Sequence, residues 1–208
     1  QDHSQPLTYF ITTSFVKPGK ARGLFDGSYI PYLKSKKYGY RTFIQGRYEH
    51  FMNVEEVQYI AKQPNVRIGL HSHFHDVILT RTHPHKRKAL SPWKLERIKA
   101  IKEISLEEFS IRSKLAFKGV EVAGGKLVAR SETAWEDFIK YDTELCLRWF
   151  EQNLKIQPRI YGFPFNEYST KFVLILKSFG FQQFFAARPK NKKEITGRID
   201  IDSLINGL

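Results

Sequence analysis

Three histidines at alternate positions, His71, His73 and His75, are followed at once by a carboxylate, Asp76. They close a short apolar run with strand character, Val66-Arg67-Ile68-Gly69-Leu70. The chain has seven histidines in all, so three within five residues concentrate nitrogen donors at one place. Neutral imidazole is the commonest nitrogen ligand of a divalent transition ion, and a site needs two or three held rigidly. In a plain strand all three rings would project from one face. If the strand breaks at Gly69 or Ser72, His71 and His75 can curl onto one ion while His73 turns away. A solvated polar strand end would explain two histidines; three plus an acid favour a metal site.

That loop needs elements to hold it. Residues 7–16 are rich in β-branched and aromatic side chains and read as a first buried strand, ended by Lys17-Pro18-Gly19. Helical spacing runs over 28–38, with Gly39 as its stop, and 40–45 reads as a second strand. Asn53 caps a helix reaching about Gln63, with Glu55 and Glu56 in the first turn. Pro64-Asn65 then turns the chain into the histidine strand. From Ser131 a long amphipathic helix runs through Trp135, Ile139 and Leu154. A strand over 159–163, a loop over 164–169, a helix over 171–179 and a strand over 183–187 follow. This alternation predicts an α/β fold with parallel strands. Between about 80 and 130 the pattern changes. Ser91-Pro92-Trp93 opens a helix, 94–113 supports one or two helices, and 117–129 suggests a hairpin about Gly124-Gly125. That stretch reads as an insertion or lid on a single domain spanning 1–208.

At 208 residues and 41% apolar content the chain can bury a substantial core. The lone cysteine, Cys146, excludes an internal disulfide framework and a cysteine zinc cage, and its helical setting makes it a core thiol. No apolar run approaches a membrane span, and no signal-peptide pattern opens the chain. Its first residue is Gln1, so cytoplasmic and cell-envelope locations both stay open. The net charge of +13 suits an anionic partner: an acidic glycan, a lipid-linked sugar or an anionic membrane surface. Dispersed lysines and the lack of a recognition module argue against specific nucleic acid. The densest basic cluster is His83-Pro84-His85-Lys86-Arg87-Lys88.

Two separated motifs carry a family resemblance. Gly69-Leu70-His71-Ser72-His73-Phe74-His75 resembles the H-[S/T]-x-x-H motif of the polysaccharide deacetylases, the NodB-homology or carbohydrate esterase family 4 domain. Tyr161-Gly162-Phe163-Pro164-Phe165-Asn166-Glu167-Tyr168-Ser169 is similar to that family's F-A-Y-P-Y-G-E-Y-S loop. Lys36-Lys37-Tyr38-Gly39-Tyr40-Arg41-Thr42-Phe43 resembles its K-K-Y-G-x-x-A-T-F segment. The likeness covers about 24–80 and 131–190. It implies a deformed (β/α) barrel, here with a helical and hairpin insertion, holding a divalent metal, zinc before cobalt or nickel. It implies His71 and His75 as metal ligands, Ser72 as the residue holding their loop, and the Phe165 amide as the oxyanion donor. The implied activity is metal-dependent removal of acetyl or similar acyl groups from a polysaccharide or lipid-linked sugar.

The family's consecutive Asp-Asp pair supplies one metal ligand and the general base; here Phe25-Asp26-Gly27 offers one aspartate. Asp26 can fill one role, and Asp76 or His73 would have to substitute in the other. The family's late histidine has no counterpart over 201–208. Two other functions therefore compete. One is a deacetylase-like domain that binds glycan without cleaving it. The other is a metallo-β-lactamase-like hydrolase, because His71-x-His73-x-His75-Asp76 approaches the H-x-H-x-D-H pattern.

Overall fold

The computed structural model describes residues 6–23, 35–81, 93–94, 109–124, 126–187 and 195–198. Its frame is a parallel sheet of five strands: β1 (Leu7–Ile11), β2 (Val66–Leu70), β7 (Ile160–Gly162), β8 (Gln183–Ala187) and β9 (Ile195–Arg198), in the order β1-β2-β7-β8-β9. β1 and β2 pair over their full length, from Leu7 opposite Val66 to Ile11 opposite Leu70. β7 joins through Leu70 opposite Tyr161, and Tyr161 in turn faces Phe184 of β8. Parallel strands need crossovers, and helices supply them. α1 (Ser35–Phe43) and α2 (Val54–Ala61) lie between β1 and β2; α4 (Thr170–Ser178) lies between β7 and β8.

α2 starts where the sequence predicts. The Asn53 side chain accepts the Glu56 amide at 3.0 Å, and Glu56 returns the bond to the Asn53 amide at 3.0 Å. This reciprocal cap satisfies two amide donors that a helix start otherwise leaves unbonded. α3 (Glu132–Leu154) is the long helix, capped by Ser131, whose hydroxyl accepts the Ala134 amide at 3.0 Å. Trp135, Ile139, Cys146 and Phe150 recur at helical spacing and are buried against the sheet. The main core gathers Leu70, Ile139, Phe150, Tyr161, Phe163 and Phe184 between sheet and helices. Burying each such large side chain stabilises the fold by roughly 1.5–3 kcal/mol.

A second sheet is antiparallel, in the order β4-β3-β5-β6: β3 (Val77–Thr80), β4 (Ser110–Ser113), β5 (Val120–Ala123) and β6 (Lys126–Ala129). It has its own small core of Leu79, Phe109 and Ile111. The hairpin predicted over 117–129 is β5-β6. The helical expectation over 94–113 fails at its far end, because Ser110–Ser113 is a strand paired with β3, Leu79 opposite Ile111. Its two serines are buried, and Ser110 and Thr80 exchange a 2.8 Å hydroxyl bond across the pair. The strand predicted over 40–45 is also corrected: α1 continues through Gly39 to Phe43. Gly39 does not stop the helix. A Cβ there would meet Trp93 Cδ1 at 2.5 Å, so the glycine makes room for an indole. Residues 28–34 and 95–108 lie outside the described residues. No helix among the described residues is long and apolar enough to cross a membrane.

Candidate active site

Loops at the carboxyl ends of parallel strands are where α/β sheets place ligands. Two such loops meet here: the histidine loop after β2 and the Pro164–Asn166 turn after β7. Five described non-glycine residues have positive φ, and four of them are in these loops: Ser72, His75, Phe165 and Asn166. Strained backbone of this kind costs on the order of 1–3 kcal/mol per residue and persists only where surroundings enforce it.

The enforcing contacts are specific. His71 leaves the sheet with its amide still bonded to the Ile11 carbonyl at 2.9 Å. Its Nδ1 lies 2.6 Å from the Gly162 carbonyl on β7, so Nδ1 carries a proton and donates it to that carbonyl, leaving Nε2 as the nitrogen that can act as a ligand. Ser72 is fully buried, and its hydroxyl accepts the His75 amide at 3.1 Å, closing the loop. The Phe10 ring lies across Gly69 and Gly162; a Cβ on these glycines would approach it to 2.9 and 2.6 Å. The missing side chains therefore let the Phe10 ring lie across both strands, 6.5 Å from the His71 ring.

His71 and His75 face one another, with ring centroids 5.1 Å apart. The His75 ring also packs on Phe165 at 4.5 Å and on Phe43 at 5.9 Å. Burial in this apolar setting holds the His75 pKa down to about 4, so the ring is neutral at pH 7. Its Nδ1 is buried and has no hydrogen-bond partner among the described residues. A neutral His75 imidazole and a His71 ring oriented by a carbonyl form a pair of nitrogen donors suited to a divalent ion.

His73 is turned away. Its Nδ1 meets the Thr13 hydroxyl at 2.8 Å, and its carbonyl accepts a short bond from the Ser14 hydroxyl. Asp76 is also directed elsewhere: Oδ1 accepts the Val77 amide at 2.9 Å, and Oδ2 lies 3.9 Å from Lys114 Nζ. The structure thus brings His71, His75, Ser72 and Phe165 together and takes His73 and Asp76 out of the group. Asp26 lies outside the described residues. Among the described residues no cluster of three or more histidine, cysteine or carboxylate groups could hold a metal ion.

Three residues at the site had no role in the sequence reading. Asp142 of α3 is 1% exposed, and its carboxylate accepts the amides of His73 and Phe74, each at 3.0 Å. Burial pushes its pKa up to about 6 despite those two bonds. Its signal was available, because an acid at position 142 interrupts the apolar stripe of α3. Glu167 binds the β7 loop to the antiparallel sheet, with Oε1 2.6 Å from Arg112 Nε and Oε2 accepting the Ser113 amide at 2.6 Å. Lys94 sets its ammonium 4.9 Å from the Phe165 ring centre and 5.6 Å from that of Trp93. Nothing in the sequence distinguished it from the other lysines.

No protein-family model and no curated protein matches the sequence. Solved structures do match. A de-N-acetylase from Aggregatibacter actinomycetemcomitans aligns with a TM-score of 0.58 at 16% identity, over 98% of this chain and 65% of that one. The BpsB deacetylase domain from Bordetella bronchiseptica aligns at 0.56 and 12%, over 89% and 55%. IcaB from Ammonifex degensii aligns at 0.52 and 14%, over 97% and 60%. The chain thus spans between about half and two thirds of each structure and shares their α/β fold.

Proposed function

We propose that this chain is a metal-dependent hydrolase that removes acetyl groups from the sugars of a polysaccharide or lipid-linked glycan. The observation carrying this reading is the facing pair of histidines, His71 and His75, against Phe165 at the carboxyl ends of adjacent parallel strands. Two of the structures that share the fold are described as deacetylases, which supports the same chemistry. The five parallel strands are read as the described arc of a deformed (β/α) barrel.

His71 and His75 would hold the ion, zinc by preference, with a carboxylate completing the set. Asp26 is carried as that carboxylate on its Phe-Asp-Gly context alone. When bound, the ion supplies Lewis-acid polarisation of water and of the acyl carbonyl. The chain supplies the rest. The Gly162 carbonyl orients the His71 ring, Ser72 and Asp142 hold the loop in its strained form, and the aromatic cluster of Phe165, Phe43 and Trp93 packs on one side of His75. The Phe165 amide is assigned to the developing oxyanion, a role that survives a change of side chain. The orientation of His73 argues against the metallo-β-lactamase-like alternative, which needs His71 and His73 on the same side.

The test is acetate release from a panel of N- and O-acetylated oligosaccharides, with protein stripped of metal and then reloaded with zinc or cobalt. Metal-restored release that disappears in His71→Ala is the expected result. Stoichiometric metal without release would instead make this a glycan-binding domain, and failure to bind metal would remove the site.

A further inference from the structure

Among the described residues, several cations of the loops and helices are matched to acids. Arg112 pairs with Glu167 at 2.6 Å, Lys114 with Glu121 at 2.9 Å and Lys171 with Glu136 at 2.6 Å. Lys94 differs. Among the described residues its ammonium has ring contacts and no ion pair. The acid whose field reaches it, Glu167, is already committed to Arg112 and the Ser113 amide. Lys94 is also half-buried, and burial depresses its pKa. A cation in such a position gives up hydration without an acid to offset the loss. Its position relative to the site is defined by a shared ring: the ammonium packs on Phe165 at 4.9 Å and the His75 ring packs on it at 4.5 Å.

We propose that Lys94 forms an anion subsite beside the histidine pair, selecting sugars that carry a carboxylate or phosphate on the acetylated ring or its neighbour. This rests on the site assigned above and adds its substrate class. Lysine is a point charge without the planar fork of arginine, so the subsite takes either oxyanion. The ring contacts hold the ammonium in place while leaving its three donors for a ligand. The +13 net charge of the chain raises the local concentration of such a polymer, and Lys94 converts that general attraction into a preference at one sugar.

The test measures binding without turnover, so it stands or falls independently of acetate release. Affinities of the full chain, stripped of metal so that no acetyl group is released, are measured calorimetrically for tetramannuronate, for N-acetylglucosamine 1-phosphate and for neutral chitotetraose, at low and at physiological salt. At least one anionic ligand binds the wild type more tightly than chitotetraose. In Lys94→Met that preference falls about tenfold, and Lys94→Arg restores most of it. Whichever anion loses the preference identifies the source as carboxylate or phosphate. The proposal is overturned if neither anion is preferred by the wild type, if the preference survives Lys94→Met, or if all three affinities fall together.

Discussion

The two sheets each use one buried charge to hold a loop, and the charges are opposite. In the parallel half, Asp142 accepts the amides of His73 and Phe74. In the antiparallel half, Arg130 donates to the carbonyls of Lys114, Phe117 and Lys118, with Nη2 or Nε at 2.7–2.8 Å. Both side chains are nearly inaccessible, at 1% and 5% exposure. Burial pushes the acid up to about 6 and the guanidinium down from its usual value. An acid near 6 can be neutralised by ordinary buffers, whereas a guanidinium stays charged throughout. The loop bearing the histidines is therefore held by a contact that pH can change, and the outer sheet is held by one that it cannot.

Removing the acid has the largest expected effect. Asp142→Ala leaves two amides without an acceptor in a loop that already contains two positive-φ residues, and should cost about 4 kcal/mol in urea unfolding. A loss under about 1 kcal/mol would mean that the loop holds itself. The pH response comes next. Asp142 has a folded pKa of about 6 against 3.8, so its stabilising contribution is complete below 3.8 and is lost as pH rises through 6. His75 has a folded pKa of about 4 against 6.5, so its contribution is complete above 6.5 and is lost as pH falls through 4. Each is worth about 3 kcal/mol, and between pH 4 and 6 they oppose one another. Asp142→Asn should therefore steepen the acid loss of stability, and His75→Gln should flatten it. Parallel stability curves for both variants would refute this pairing.

Arg130→Met should cost about 2 kcal/mol, because a carbonyl tolerates a lost donor better than an amide tolerates a lost acceptor. It should also show little change in pH slope. If it costs as much as Asp142→Ala, the two halves are not held differently. Asn53→Ala, remote from both charges, should lower stability by about 1 kcal/mol through loss of the α2 cap, and gives the scale for the others.

Much of the frame was legible in sequence because it rests on local chemistry. The Asn53 cap, the apolar stripe of α3, the β5-β6 turn and the β7 loop all announce themselves in adjacent residues. The strands misread as helix or helix as strand depend on distant partners. Ser110–Ser113 is a strand because β3 lies beside it, and Gly39 stays helical because Trp93 needs its space. At the site, the pairing of His71 with His75 followed from a loop break, with His73 the one left out. The same spacing could not reveal that Asp142, 69 residues beyond His73, would receive the loop's amides. Nor could it show that Lys94 would settle on the ring that His75 touches.

The Phe10 ring fills the space that two missing side chains leave on neighbouring strands, directly beneath the carbonyl that orients His71. The three positions are thereby bound into one inheritance. A methyl group at 69 or 162 is tolerable only after the ring at 10 has become smaller, and a smaller ring leaves a gap that favours such a methyl. Across homologous chains, residues 10, 69 and 162 should change together or not at all, even where the surrounding strands diverge freely.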